Sequence, residues 1–203
     1  MGIDSLKKRA AFLDRDGVIN HNWFNPATGA WESPIAPENL RLCDGALETL
    51  DALQHMGYLL FLVSNQPSAA KGKCSLTDLE SVHAGLAEAL DRAGIRFERF
   101  FYAYGHPEAV VPELRDIKGR KPDSHFLNLA IAEFDLDPGA CWMVGDRDSD
   151  IQCGQAAGVR TIQVEAHEPD GKQGAARPDF HAADLRAAAA IIAANDLASS
   201  GAT

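Results

Sequence analysis

The sequence predicts an α/β fold of three layers, α/β/α and Rossmann-like, with helices on both faces of a central parallel sheet. Three observations predict it. Short apolar runs alternate with amphipathic stretches along most of the chain. The first apolar run, Ala10 to Asp14, leads directly into a second carboxylate at Asp16 and then a glycine. Three further polar clusters follow later strand-like runs or loops in the same manner, and parallel strands bring whatever follows their carboxyl ends to one edge.

Each element has a local reason. Ala10 to Asp14 reads as the first strand. Asp44 can cap a helix over Gly45 to Met56 that carries Leu47, Leu50, Leu53 and Met56 on one face and ends at Gly57. Tyr58 to Asn65 is a continuous apolar strand. A Thr77-x-x-Glu80 capping box opens the next helix, with Leu79, Val82, Leu86 and Leu90 on its buried face and Gly94 as its stop. Arg96 to Tyr104 is the third strand. Asp123 or Ser124 caps a helix to Phe134, and the Asp137-Pro138-Gly139 turn feeds a fourth strand, Cys141 to Asp146. A short helix ending near Gly158 precedes the fifth strand, Arg160 to Val164. A loop over 166–178 and an alanine-rich helix from Ala182 to Ala194 complete the pattern.

Residues 20–39 and 104–122 break the alternation, and loops of that length in a compact domain are functional or disordered. The stretches between the polar clusters hold only a loop and a helix, or a helix, a strand and a loop. No inserted cap domain is expected. The chain reads as one domain over 1–203, with flexible tails at 1–8 and 198–203.

Composition narrows the function classes. Hydrophobic residues make up 46% and charged residues 24% of the 203, ordinary for a globular protein, and no apolar run reaches the roughly 20 residues of a membrane span. Residues 1–9 are polar and basic, unlike a secretory signal, so a cytoplasmic location is expected. The four cysteines are scattered without a Cys-x-x-Cys pair, which suits a reducing compartment. A net charge of −10 argues against long nucleic acid as a partner but allows a local basic site for a small phosphorylated molecule.

The chemistry sits in four clusters: Asp14-Arg15-Asp16, Ser64-Asn65-Gln66, Arg120-Lys121-Pro122, and Gly145-Asp146-Arg147-Asp148-Ser149-Asp150. Each has a bland reading alone, as a polar turn, a strand end, a solvated basic pair or a helix cap. Together they gather closely spaced carboxylates, which calls for a hard cation such as Mg²⁺ or a reaction that uses one of them protonated.

In this order the clusters resemble the haloacid dehalogenase-like (HAD) phosphatases, whose four motifs match Asp14-x-Asp16, Ser64, Lys121 and Gly145-Asp146-x-x-x-Asp150 over about residues 9–195. Finer details resemble the branch of D,D-heptose 1,7-bisphosphate and histidinol phosphatases: Asp-Arg-Asp-Gly-Val-Ile-Asn, Ser-Asn-Gln, Lys71-Gly72-Lys73 and Arg-Lys-Pro. The resemblance implies a HAD fold and a Mg²⁺-dependent phosphomonoesterase. Asp14 would attack phosphorus, Asp16 would serve as acid and base with a raised pKa, and Ser64 and Lys121 would hold the phosphoryl group. Asp14, the Asp16 carbonyl and Asp146 would hold the metal. Arg120 suits a second anionic or hydroxyl-rich part of the substrate, with Lys121, Asn65, Arg147 and His21 beside it.

The implied substrate is a small phosphorylated sugar, D-glycero-D-manno-heptose 1,7-bisphosphate on the way to nucleotide-activated heptose, and a monomer is expected. Histidinol phosphate is the alternative substrate, and a non-catalytic binding module is the alternative from another class. Many members of the branch carry a structural zinc in the loop before Arg-Lys-Pro, whereas the matching positions here are Ala103, Gly105, Ile117 and Gly119. No structural zinc is therefore expected, and packing of Tyr104, Pro107, Val111 and Leu114 is expected to hold the loop.

Overall fold

The computed structural model describes residues 8–165 and 174–200. Its centre is a six-stranded sheet in which every pairing is parallel: β1 (Ala10–Leu13), β4 (Leu59–Asn65), β5 (Phe97–Ala103), β6 (Trp142–Gly145), β7 (Arg160–Val164) and β8 (Phe180–Ala182), in the order β5-β4-β1-β6-β7-β8. β2 (Trp23–Asn25) and β3 (Ala30–Glu32) form a separate antiparallel hairpin in the insert after β1.

β1 shows why the layers form. Its four residues are buried on both faces, as a central parallel strand requires. Ala11 and Leu13 point into one core with Leu50, Leu53, Leu86 and Ile192, from helices α1 (Ala46–His55), α2 (Leu76–Arg92) and α5 (Leu185–Ser200). Ala10 and Phe12 point into the other with Leu127 and Cys153, from α3 (His125–Phe134) and α4 (Asp148–Ala156). Phe12 stacks on Phe61 with ring centroids 5.2 Å apart, so the second core is partly aromatic.

Several local expectations need correction. Asp44 does not cap α1: Gly45 is the N-cap, at φ 74°, and its carbonyl accepts the Thr49 hydroxyl at 2.7 Å. The capping box of α2 is Ser75 with Asp78, not Thr77 with Glu80, so the helix starts earlier and the Thr77 carbonyl instead accepts the Ser81 hydroxyl. The stretch 20–39 is not all loop, because Trp23 to Asn25 pairs with Ala30 to Glu32 around a turn closed by Gly29 and Asn25. β8 comes before the last helix, whose start moves from Ala182 to Leu185. The C-terminal tail expected at 198–203 is helical as far as Ser200, and Lys8 bridges to Leu136. Residues 1–7, 201–203 and most of the loop expected at 166–178 lie outside the described residues.

The loop over 104–122 is held differently from expectation. Val111 is 40% exposed and does not anchor it. Backbone bonds do: His106 N–H donates to Leu114 O, Val110 N–H to Ala70 O and Arg120 N–H to Ile117 O, each at 2.9 Å. Tyr104 contributes by stacking on Tyr102. Among the described residues, no helix is long and apolar enough to cross a membrane.

Candidate active site

β1 lies between β4 and β6, and the chain leaves β1 toward β4 and β6 toward β7, so the strand order reverses at the β1–β6 boundary. Such a switch point opens a crevice at the carboxyl ends of the strands. Asp14 follows β1, Ser64 and Asn65 end β4, and Asp146 follows β6. The Asp14 N–H donates to Val144 O at 3.0 Å, which ties the two aspartate-bearing turns together.

Lys121 enters this crevice from the loop before α3. Its ammonium lies 2.8 Å from Asp14 Oδ1 and 2.6 Å from Asp150 Oδ1, and it donates to Val63 O at 2.7 Å. The backbone of Lys121 is clamped in turn by Asn65, whose amide accepts from Lys121 N–H at 2.9 Å and donates to Lys121 O at 3.0 Å. Asn65 therefore acts on the lysine directly and borders the cavity besides. Burial opposes the charge on Lys121, but Asp14 and Asp150 raise its pKa and keep it ionised.

Asp14, Asp146 and Asp150 are all buried and can each offer an oxygen within 4.8 Å of the others. Lys121 and Arg147, whose Nε stands 3.8 Å from Asp146 Oδ1, are two cations against three buried carboxylates. Burial, then Asp14 and Asp150, push Asp146 up to about 8. Burial also raises Asp150, to about 6, with Asp14 adding to the rise and Lys121 opposing it. A hard divalent cation fits this oxygen-rich, under-compensated donor set. Gly17 belongs to the same construction: it sits at φ +84°, and a Cβ there would come within 2.6 Å of Asp146 Oδ2.

Asp16 faces a different set of partners. Its carboxylate accepts Arg15 Nε at 2.9 Å, Asn20 Nδ2 at 2.9 Å and Gln66 Nε2 at 2.6 Å, while Gln66 also donates to the Ser64 hydroxyl at 3.0 Å. Burial pushes Asp16 up, but the Arg15 charge and these hydrogen bonds outweigh it and hold the carboxyl below the ordinary aspartate range. The expected raised pKa of Asp16 is thus corrected: a guanidinium and two amides stabilise its charged form.

Beyond the carboxylates, a cavity of about 390 Å³ is lined by Arg120, Lys121, Arg147 and Asn65 together with Lys73 and Glu32. Arg120 reaches Gly105 O at 3.4 Å, and burial and then the nearby Arg147 charge lower its pKa. His21 is not part of this wall. It lines neighbouring cavities with Asn22, Trp23 and Asp44, and its backbone N–H donates to Arg41 O.

A family model described as HAD-hydrolase-like matches residues 119–188, the stretch from the Lys121 loop through Asp146 and Asp150. The D-glycero-D-manno-heptose-1,7-bisphosphate 7-phosphatase of Chlorobaculum tepidum is 34% identical over 186 residues, 87% of this chain and 90% of that protein. The chain belongs to this HAD phosphatase family. Another member, the D-glycero-β-D-manno-heptose-1,7-bisphosphate 7-phosphatase of Pasteurella multocida, is 32% identical over 82% of this chain and 88% of its own length. The fold is also that of a D,D-heptose 1,7-bisphosphate phosphatase from B. bronchiseptica solved with magnesium and phosphate. The TM-score is 0.75 at 23% identity, covering 93% of this chain and 99% of that one.

The family's four motifs therefore meet in one crevice. Two kinds of participant had no assigned role in the sequence. Asp150 stood in the fourth motif without a function, although its spacing of four from Asp146 places it on the first turn of α4, where it also accepts Arg147 N–H at 2.9 Å. Arg15, Asn20 and Gln66 look like turn residues in sequence, and only the folded chain turns all three onto Asp16.

Proposed function

We propose that this chain is a Mg²⁺-dependent phosphomonoesterase that removes one phosphate from a heptose 1,7-bisphosphate through a phosphorylated Asp14. The arrangement that carries the reading is Lys121 shared between Asp14 and Asp150, beside Asp146, at the mouth of a cavity lined by Arg120 and Arg147. The curated relatives named as heptose bisphosphatases supply the substrate class.

The Arg15 N–H, at 2.7 Å, and Lys121 both engage Asp14 Oδ1, which leaves Oδ2 to attack phosphorus. As the P–O bond to the sugar breaks, Asp16 gives its proton to the leaving oxygen. The same carboxylate then takes a proton from the water that hydrolyses the aspartyl-phosphate, regenerating Asp14. The partners of Asp16 favour its ionised form, which suits the second half of the cycle. Ser64 and Lys121 hold phosphoryl oxygens.

Asp14, Asp146 and the Asp16 carbonyl are the groups to hold Mg²⁺, and Asp150 is occupied with Lys121. The ion, when bound, supplies the positive charge that lets a carboxylate approach a phosphate dianion. Arg120 and Arg147 receive the second phosphate. The rest of the reading is one domain over 1–203, monomeric and cytoplasmic, a setting that suits four free cysteines.

The test is phosphate release from both anomers of heptose 1,7-bisphosphate, sugar monophosphates and histidinol phosphate, with Mg²⁺ and with EDTA, using Asp14→Asn as the blank. Preference for a heptose bisphosphate, lost with EDTA and in the variant, supports the reading. Turnover of histidinol phosphate alone overturns the substrate, and no Mg²⁺-dependent release from any compound overturns the enzyme.

A further inference from the structure

The hairpin β2–β3 brings one acidic side chain into a cavity otherwise rich in cations. Glu32, the last residue of β3, lines the same cavity as Lys71, Lys73, Arg120, Lys121 and Arg147. Its carboxylate is pinned on all sides. Oε1 is 2.6 Å from Lys73 Nζ and accepts the Thr28 hydroxyl at 2.9 Å, and Oε2 accepts Asn25 Nδ2 at 3.2 Å. The Glu32 side chain is only 10% exposed, whereas that of Lys73 is 40% exposed.

Both donors on the Glu32 side come from the hairpin itself, so the strand pairing sets where the carboxylate stands. Asn25 pairs with Ala30, and its side-chain oxygen also accepts Ala27 N–H at 3.0 Å, which closes the turn. Lys73 is fixed from the other side by its N–H donating to Ser68 O at 2.9 Å. Trp31, next to Glu32, borders the cavity and packs edge-to-face on Phe24.

The charges of the cavity are thus divided. Lys121 is engaged by Asp14 and Asp150, and Lys73 by Glu32. Arg120 and Arg147 line the same cavity, where the Arg147 charge lowers the pKa of Arg120 and Arg147 Nε stands 3.8 Å from Asp146 Oδ1, and an anion bound beside Arg120 relieves the repulsion between the two guanidinium groups. A phosphate placed at the Glu32 end instead meets a fixed carboxylate, while a sugar hydroxyl placed there can donate to it.

We propose that Glu32 is a specificity-determining residue: held by the hairpin and paired with Lys73, it rejects a phosphate at its end of the cavity and accepts sugar hydroxyls there. It thereby sets which way round a sugar bisphosphate lies, with the second phosphate at Arg120 and Arg147. This inference rests on the phosphatase reading above and adds the orientation of its substrate.

The experiment compares wild type, Glu32→Gln, and the charge-swapped double variant Glu32→Lys with Lys73→Glu, each on heptose 1,7-bisphosphate and on p-nitrophenyl phosphate, an aryl phosphate too short to span the cavity. Inorganic phosphate is the competing inhibitor. The expected result is unchanged turnover of the aryl phosphate in both variants. For the bisphosphate, KM rises about tenfold in Glu32→Gln, the worth of one charged hydrogen bond, with kcat within twofold. The swapped variant keeps that raised KM and binds inorganic phosphate more tightly.

A bisphosphate KM within twofold of wild type in Glu32→Gln overturns the proposal. So does recovery of the wild-type KM in the swapped variant, which would mean that the ion pair only fastens the hairpin. Absence of Mg²⁺-dependent phosphate release from both compounds in every form, wild type included, is the separate result that would fell the phosphatase reading.

Discussion

The Lys121 ammonium stands 2.8 Å from Asp14 Oδ1, so the nucleophile proposed here carries its counter-charge before any substrate arrives. Lys121 also lies 2.6 Å from Asp150 Oδ1, and the three side chains are at most 8% exposed. At that depth one cation is shared by two carboxylates, and a third, Asp146, crowds them. Stability and, on the function proposed above, metal binding and catalysis are therefore linked through the same four groups.

Lys121→Met leaves the three carboxylates without their ammonium. Removing one partner of a buried ion pair costs about 3–5 kcal/mol. The expected outcome is a loss of that size in urea-denaturation stability at pH 7.5 in EDTA, with part of it restored by millimolar Mg²⁺, which replaces the missing positive charge. A loss below about 1 kcal/mol would show that water reaches the cluster and screens it.

The rise of Asp146 to about 8 has a definite sign for stability. An unfolded aspartate titrates near 3.9, so between about pH 4 and 8 the folded chain holds a proton that the unfolded chain has lost. Metal-free stability from this group therefore falls as pH rises through that window. Asp146→Asn should flatten the fall and make the metal-free protein the more stable form at pH 8. In saturating Mg²⁺ the order reverses, because the ion needs the ionised carboxylate. Urea midpoints at pH 5 to 8.5, with EDTA and with Mg²⁺, measure both slopes, and parallel curves for the two proteins would contradict the shift.

Gln66→Leu removes the donor that lies 2.6 Å from Asp16 and also unties Ser64. Losing a hydrogen bond to a charged group corresponds to roughly a tenfold effect or more. Steady-state kinetics should show kcat falling about tenfold with KM within twofold. The pH–rate profile should move to higher pH, because Asp16 then keeps its proton more readily. A change in KM alone would mean that Gln66 acts on substrate binding.

Gly17→Ala places a methyl group 2.6 Å from Asp146 Oδ2 at a backbone φ of +84°. The backbone strain costs about 1 kcal/mol, and the larger effect falls on Asp146, which has to shift. The expected signature is a Mg²⁺ half-saturation raised about tenfold with a modest drop in thermal midpoint. An unaltered Mg²⁺ dependence would separate Gly17 from the metal site.

The strands and helices that bury long apolar faces were legible in the sequence, because burial imposes a period. Tyr58 to Asn65 and the Leu79, Val82, Leu86, Leu90 stripe each state their own secondary structure. Where two nearby polar residues are chemically able to serve the same end, local pattern misled: the capping box read at Thr77 and Glu80 stands at Ser75 and Asp78. Ser75 and Thr77 both suit a helix start, and Ser75 makes the reciprocal bonds with Asp78. The short β2–β3 hairpin lacked a period because none of its six residues is buried in a core, and Trp31 and Glu32 line a cavity instead.

Local pattern along the chain sets the parallel α/β architecture and the edge at which Asp14, Ser64, Lys121 and Asp146 gather, since strand polarity and connection order follow from it. Tertiary structure alone decided how those groups divide their partners: Lys121 between Asp14 and Asp150, Gln66 and Asn20 on Asp16, Glu32 on Lys73, and His21 in a neighbouring cavity. The physical reason is that a charge pairs with whatever lies within a few ångströms of it after folding, and spacing along the chain does not encode distances between strands and loops that meet only in the packed molecule.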